Sequence, residues 1–365
     1  GISYIRELLK DYFMDEIPLL KTAKTIQIAV LRQTHDYTIF RTEETRELNV
    51  VTLPYSIDNP NSTYKVVMLS TKQKAPESRK FIELLRTYIE KYGLTTEYDY
   101  VMKCRLPQAL CTKCPRCTLF GSVTTEKGRE RATWNIKHRI EYSSSYSIEP
   151  YEKISELITF NAVDTATQST GRALGYTENV RPIAHFPSII TLSSVTFEEF
   201  IWYLKTLMAT KSYGAETRVK GDVVNHIVGI AAGYEEIITS LEYSLEMAAR
   251  GIDDPIGSTF EILNKYKQYS SFPTSIKILG KEELEKVLTN VRNFDPTKEF
   301  IEEFSENIIL GTTIETNKDD LYLENKISKA PLPSVRYESF KEIKWSKKFV
   351  SIEPILDFDL EEFAK

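Results

Sequence analysis

All four cysteines of the 365-residue chain lie within the stretch 104-CRLPQALCTKCPRCTLFGSV-123. These metal-ligand candidates have the spacing C-x6-C-x2-C-x2-C and are Cys104, Cys111, Cys114 and Cys117. Two-residue gaps allow neighbouring thiolates to turn toward one cation, and Pro115 stiffens the last gap. The spacing therefore predicts a metal site, and four sulfur ligands favour zinc.

An iron–sulfur cluster on the same cysteines is an alternative, because ferredoxin-type sequences also use two-residue gaps. A set of metal-free thiols is a further alternative. A catalytic zinc keeps one coordination position open, whereas four thiolates would close the shell. We therefore expect a structural zinc. His138 could replace one cysteine, although its position between Lys137 and Arg139 is more typical of an ordinary polar residue.

The charge around this segment differs in sign from that of the whole chain. The chain has 47 basic and 52 acidic residues, a net charge of −5, whereas residues 103–139 hold nine Lys and Arg against two Glu. A basic segment on an acidic body indicates a polyanionic partner. The alternative is a solvated loop whose cations balance the negative charge of zinc-bound thiolates.

Composition limits the class of protein. Hydrophobic residues make up 41% of the chain, which argues against a disordered polypeptide. No run approaches the ~18–20 apolar residues that span a bilayer. The first residues also lack the apolar segment of a signal peptide. We therefore expect a soluble cytoplasmic protein with no membrane partner.

Hydrophobic periodicity predicts an α+β fold. Strands are predicted over 24–32, twice within 46–70, and over 186–192 and 223–230. Helices are predicted over 2–13, 77–92, from Thr196, and over 235–249, 258–268 and 281–292. Thr196 and Glu199 form a capping box. This order is compatible with a ferredoxin-like βαββαβ core, the topology of an RRM.

Four regions follow from these patterns. Residues 1–100 form the first part of the RRM-like core, and residues 101–145 form a zinc-knuckle and basic insertion. Residues 146–250 complete the core. They include a Thr-, Asn- and Gly-rich stretch, 161–187, that we expect to be a thumb-like hairpin, because long excursions of this kind are usually functional. Residues 251–365 supply helical and C-terminal elements.

The knuckle sequence resembles a known family when it is taken together with motifs that follow it in order. These motifs are NIKHRIEY at 135–142, FNAVD at 160–164, VRP at 180–182 with Phe186, and YGA at 213–215 followed by Thr217, Arg218, Gly221 and Asn225. Together they are similar to the Cas-seven-like backbone subunit, a member of the RAMP superfamily, of type I-D CRISPR Cascade effectors.

The resemblance implies a function in antiviral defence. Several copies would stack head-to-tail along a CRISPR RNA, as an oligomer joined by heterologous contacts. Other effector subunits would complete the complex. The guide would pair with one strand of target DNA, so base pairing would supply sequence specificity.

Holding RNA without reading its bases requires cations for the phosphates and flat or apolar side chains near the bases. The candidate RNA-binding residues are Arg129, Arg131, Trp134, Lys137, His138, Arg139, Arg172, Arg181, Arg218 and Lys220. Leu174 or Tyr176 on the excursion could insert between nucleotides. For each cation the alternative is an ordinary exposed charge.

Two enzyme hypotheses remain as alternatives. Related subunits in other CRISPR effectors cleave RNA with an aspartate after the first strand, and Asp36 occupies a comparable place. Asp36 or Asp164 could hold a divalent ion for cleavage of the guide-paired strand at regular intervals. The simpler interpretation of both is a turn aspartate. A zinc-knuckle RNA-modifying enzyme is the second hypothesis, although no nucleotide-binding loop is visible.

Overall fold

The computed structural model describes residues 1–42, 45–106, 109–123, 135–163, 165–216 and 219–306. Within them the β-strands are β1 (Thr25–Thr34), β2 (Val50–Pro54), β3 (Ser62–Met68), β4 (Ser122–Val123), β5 (Asn135–Ile136), β6 (Ile140–Tyr142), β7 (Ser145–Pro150), β8 (Ser155–Val163), β9 (Thr170–Val180), β10 (His185–Ser193), β11 (Val223–Gly233) and β12 (Lys277–Ile278). The α-helices are α1 (Ser3–Leu8), α2 (Ser70–Lys91), α3 (Asp99–Lys103), α4 (Pro115–Phe120), α5 (Tyr151–Ile154), α6 (Phe197–Ala209), α7 (Ser240–Arg250), α8 (Pro255–Lys267), α9 (Lys281–Asn293) and α10 (Lys298–Glu306).

A five-stranded antiparallel sheet has β1 at its centre, in the order β12-β11-β1-β10-β6. Nine of the ten β1 residues are buried, as expected for a strand covered on both faces. Ile28 pairs with Ile190 of β10 and with Ile230 of β11. The structure therefore confirms a mixed fold built on antiparallel sheets.

Helices cover both faces of this sheet. On one face, Ile26 and Ile28 belong to the same apolar cluster as Phe81 of α2 and Leu204 of α6. On the other face, Leu31 packs in a second cluster with residues of α7 and α8. Each helix thus buries its apolar stripe against the sheet, and this burial of apolar surface is the main favourable term in stability.

Among the described helices, none is long and apolar enough to cross a membrane.

Helix α2 begins seven residues earlier than predicted, at Ser70, and continues through Pro76. Proline usually interrupts a helix because it lacks an N–H and crowds the preceding turn. The buried amide of Gln73 anchors this first part of α2, because its Nε2 donates to the carbonyls of Met68 (3.1 Å) and Ser143 (2.9 Å). Tertiary contacts of this kind override the local signal of proline.

The predicted excursion 161–187 corresponds to a two-stranded antiparallel hairpin, β8–β9, with different limits. The hairpin begins at Ser155, six residues earlier, and ends at Val180, whereas residues 185–187 belong to β10.

The capping box is confirmed, since the Thr196 hydroxyl accepts from the Glu199 N–H at the start of α6.

Candidate functional site

The four cysteines, predicted from spacing alone, come together at one point. Their Sγ atoms all lie within 4.8 Å of one another. Cys104 follows α3, Cys111 lies in the next loop, Cys114 caps the N-terminus of α4, and Cys117 lies inside α4. Cys104, Cys114 and Cys117 are buried, and Cys111 is partly accessible.

Distances between the sulfur atoms fit a tetrahedral metal shell. Cys104 Sγ lies 3.5 Å from Cys117 Sγ and 3.7 Å from Cys114 Sγ, and Cys111 Sγ lies 4.0 Å from Cys117 Sγ. A tetrahedral zinc with Zn–S bonds of about 2.3 Å would place its sulfurs about 3.8 Å apart. The donor set therefore has the size and chemistry of a zinc site.

Backbone amides already point at these sulfurs. The Cys114 N–H donates to Cys111 Sγ at 3.2 Å, and the Lys113 N–H donates to the same sulfur at 3.4 Å. Hydrogen bonds among the four thiols lower the pKa of Cys111 and Cys117 and raise the pKa of Cys104 and Cys114. The backbone amides favour thiolate at Cys111, and thiolate is the form that binds metal.

The knuckle is anchored on the main core through α4. Phe120 packs edge-to-face on Phe81 of α2 with ring centroids 5.2 Å apart. The buried guanidinium of Arg116 donates to Ser78 Oγ at 2.9 Å and to the Gly121 carbonyl at 3.1 Å. Gly121 has φ +87°, and a Cβ there would lie 3.1 Å from the backbone nitrogen of His138. Glycine is therefore required at this turn.

The predicted cationic triplet is divided between solvent and core. Lys137 is exposed. His138 is partly buried, and its Nε2 lies 3.8 Å from a Glu141 carboxylate oxygen. Burial, followed by the nearby Lys74 charge, lowers the pKa of His138, which reduces its value as a cation.

Arg139 is buried, so it is no longer a candidate for contact with RNA. Its Nη1 lies 2.7 Å from Glu199 Oε2 and 2.9 Å from the Ser194 carbonyl, and its Nη2 donates to the Thr118 carbonyl at 3.1 Å. The guanidinium is 5% exposed, so it has no free surface for a phosphate. Arg139 joins the knuckle helix to the start of α6.

The β8–β9 hairpin presents mixed cationic and apolar groups. Arg181, immediately after β9, is half exposed, and its Nε lies 3.1 Å from Glu156 Oε2. The strand register places Leu157 and Tyr176 on one face, and both are exposed, at 59% and 48%. Leu157 is not among the residues predicted from sequence, because it lies between Glu156 and Ile158 and no alternation of polar and apolar residues distinguishes it. Arg172 lies within β9.

The segment between α6 and β11 contains Lys220. Its Nζ lies 2.7 Å from Asp222 Oδ1, and the side chain is 66% exposed. Gly221 has φ +67°, and a Cβ at this position would lie 1.8 Å from the Tyr213 carbonyl oxygen. The glycine therefore allows the chain to pass close to Tyr213 and to place Lys220 at the surface.

Asp36 is exposed just after β1, and its Oδ1 accepts the N–H of the next residue, Tyr37, at 2.7 Å. The remaining site predictions lie outside the described residues. They concern Arg129, Arg131, Trp134, Asp164 and Arg218.

Comparison with solved structures shows a similar fold in Thermofilum pendens Csc2, whose crystal structure matches with a TM-score of 0.55 at 22% identity over 76% of this chain and 86% of that chain. A CRISPR RNA-guided surveillance complex matches with a TM-score of 0.41 at 11% identity, over 67% of this chain and 83% of that chain. A pre-nicking form of such a complex gives the same score and identity over 67% of this chain and 86% of that chain. No curated protein is significantly similar in sequence.

A family model for Csc2 CRISPR proteins matches residues 12–312, which is more than four fifths of the 365 residues. The match includes the cysteine knuckle, the β8–β9 hairpin and the central sheet. It agrees with the resemblance to CRISPR proteins in the knuckle and the motifs after it. The chain belongs to the Csc2 CRISPR family.

Proposed function

We propose that this protein is the RNA-binding backbone subunit of a cytoplasmic, Cascade-like type I-D CRISPR complex. Several copies would stack along the guide RNA, together with other effector subunits, and hold it for pairing with a strand of target DNA. The observation that carries the proposal is the family match across residues 12–312. Sequence specificity would come from the guide.

The core of this assembly would be RRM-like. In chain order, β1 is followed by α2, β6, β10, α6 and β11, which is the βαββαβ order. The sheet order β11-β1-β10-β6 keeps the first and third of these strands in the centre, and both helices pack on one face. These features support an RRM-like core interrupted by the knuckle and the β8–β9 hairpin.

RNA binding would use the exposed members of the predicted set. Lys137, Arg181 and Lys220 have accessible ammonium or guanidinium groups for phosphates. Tyr176 offers an exposed ring for stacking with a base, a contact that tolerates any sequence. His138, Arg129, Arg131, Trp134, Arg172 and Arg218 remain candidates from the sequence.

The four cysteines would hold a structural zinc. The metal would supply a cross-link between the end of α3 and helix α4, whereas the protein supplies four thiolates and the amides of Lys113 and Cys114. This arrangement would fix a knuckle insertion whose exposed cations include Lys103, Arg105, Lys113 and Lys137.

The proposal is tested with protein purified from a host that expresses a CRISPR array. The preparation is digested with excess ribonuclease, and the protected RNA is extracted and sequenced. We expect guide-derived fragments in a ladder of evenly spaced lengths, because each stacked subunit covers a fixed stretch. Tyr176→Ala should weaken RNA binding by roughly tenfold through the loss of one base contact.

Tyr269→Ala is the matched control, because Tyr269 is an exposed tyrosine (76%) far along the chain from the hairpin. It should leave protection unchanged. Random fragments without a ladder, or no protected RNA, would contradict the proposed function. Equal effects of the two tyrosine variants would exclude the hairpin as the RNA contact.

A further inference from the structure

Three of the four histidines of the chain meet at the side-chain amide of Gln33. His35 Nε2 lies 2.8 Å from Gln33 Oε1, and His226 Nε2 lies 3.3 Å from the same oxygen. His185 Nε2 lies 2.9 Å from Gln33 Nε2. Three imidazole nitrogens thus face one short side chain.

The topology of the central sheet creates this cluster. Gln33 pairs with His185 of β10, and Leu31, two residues earlier on the same face, pairs with His226 of β11. His35 follows β1 directly. Gln33, His185 and His226 also line a cavity of about 430 Å³, whose other walls are mostly apolar but include Asn225 and Arg292. His35 and His226 are exposed, so solutes can reach the cluster.

His185 is oriented in the way that metal-binding histidines usually are. Its ring is 3% exposed, and its Nδ1 lies 2.5 Å from Glu149 Oε1. The backbone N–H of His185 donates to the other Glu149 oxygen at 3.0 Å. A carboxylate on one ring nitrogen fixes the tautomer and directs the other nitrogen toward a metal.

The protons of this network can be assigned from its geometry. The Gln33 oxygen can only accept, so both His35 and His226 must donate through Nε2–H. Gln33 Nε2 can only donate, so His185 Nε2 must carry a lone pair. Gln33 therefore occupies all three nitrogens at once, and as they stand the three nitrogens do not lie close enough together to share one ion.

We propose that His35, His185 and His226 form a second metal site, which takes one divalent transition ion of the nickel, cobalt or zinc class through three imidazole nitrogens. Imidazole is a good ligand for these ions, whereas the soft thiolates of the knuckle select zinc. Binding requires that Gln33 rotates away, that the exposed rings of His35 and His226 turn toward His185, and that both rings carry their proton on Nδ1 instead of Nε2. The side chain of Gln33 is a competitor for the ligands.

Ni²⁺ is the probe, with untagged full-length protein whose cysteine site is already loaded. Equilibrium dialysis followed by elemental analysis gives the bound nickel. We expect one saturable equivalent in the wild type. His35→Ala or His226→Ala should weaken binding at least tenfold, and so should Glu149→Gln, because orienting partners contribute 10–100-fold to affinity. Gln33→Ala should strengthen binding, because it removes the competitor.

His138→Ala is the matched control, because His138 is the fourth histidine and lies outside the cluster. It should bind nickel like the wild type. The proposal is overturned if the wild type takes up no saturable nickel, if His226→Ala and His138→Ala behave alike, or if Gln33→Ala fails to raise the affinity. His35 and His226 are exposed, so thermal unfolding of their alanine variants should match the wild type.

Discussion

At the scale of single residues, Lys65 is a cation buried without an acidic partner on its ammonium group. Its Nζ donates to the carbonyls of Tyr55 (2.9 Å) and Ile148 (2.8 Å), and the residue is 1% exposed. Burial lowers the pKa of Lys65 from 10.5 to about 8, and the nearby Glu149 carboxylate only partly opposes this shift. The folded protein therefore releases this proton more easily than the unfolded chain does.

This shift predicts a pH dependence of stability. Between pH 8 and 10.5 the unfolded chain keeps the Lys65 proton that the folded protein has lost, so Lys65 should contribute a rise of the unfolding free energy with pH in that window. This contribution should be about 3 kcal/mol. Denaturant unfolding at several pH values should show it as a more positive pH slope in the wild type than in Lys65→Met, because buried tyrosines with raised pKa values add the same opposing slope to both proteins. The exposed Lys153→Met is the control, and equal pH slopes for all three proteins would contradict the prediction.

Arg139 is an example of a residue whose burial could not be predicted from the sequence. Its neighbours Lys137 and His138 have similar charge and context, and nothing local distinguishes the three residues. Arg139 pairs with Glu199, 60 positions away, and only the assembled fold brings that carboxylate to it. The cysteine ligands could be predicted because their spacing is local, whereas the burial of one cation among three depends on distant residues.

At the scale of elements, α4 allows metal binding to be separated from helix capping. Cys114 is fully buried at the N-cap of α4, where its sulfur accepts from the Cys117 N–H. Serine is also a good N-cap residue, so Cys114→Ser should keep the cap and lose one metal ligand. We expect bound zinc to disappear and stability to fall by several kcal/mol, because metal binding is coupled to folding.

Elemental analysis and thermal unfolding, each with and without a strong chelator, test this expectation. The chelator should lower the unfolding temperature of the wild type to that of Cys114→Ser and should leave the variant unchanged. If the chelator lowered both proteins equally, the cysteines would not hold the stabilising metal.

The limits of the other helices and strands could be predicted where the spacing of apolar residues in the sequence is regular. Helix α9 was expected over 281–292 and is found at Lys281–Asn293, because its apolar stripe and Glu283 are local signals. The start of α2 was missed, since Gln73 and Glu77 are polar side chains that the fold buries. The hairpin limits were missed because β8 and β9 pair with each other and have few core contacts to show their extent.

At the scale of the whole molecule, one buried network connects the central sheet to its helices. Arg32 of β1 and Glu77 of α2 are both fully buried, with Nη1 and Oε1 2.5 Å apart. The hydroxyls of three tyrosines, Tyr142, Tyr203 and Tyr213, donate to the same carboxylate. These partners are separated by 45 to 136 positions, so no pattern in the sequence indicates the network.

The network predicts strong coupling in a double-mutant cycle. Arg32→Met should lower the unfolding free energy by about 3–5 kcal/mol, because it leaves the Glu77 charge buried without a partner, and Glu77→Met should have a similar cost. The double variant Arg32→Met with Glu77→Met should lose clearly less than the sum, since neither charge then remains. Denaturant unfolding measures all four proteins. The exposed pair Lys80 and Glu83 is the control, with coupling below about 0.5 kcal/mol. Additive losses at Arg32 and Glu77 would mean that the pair does not hold the sheet and α2 together.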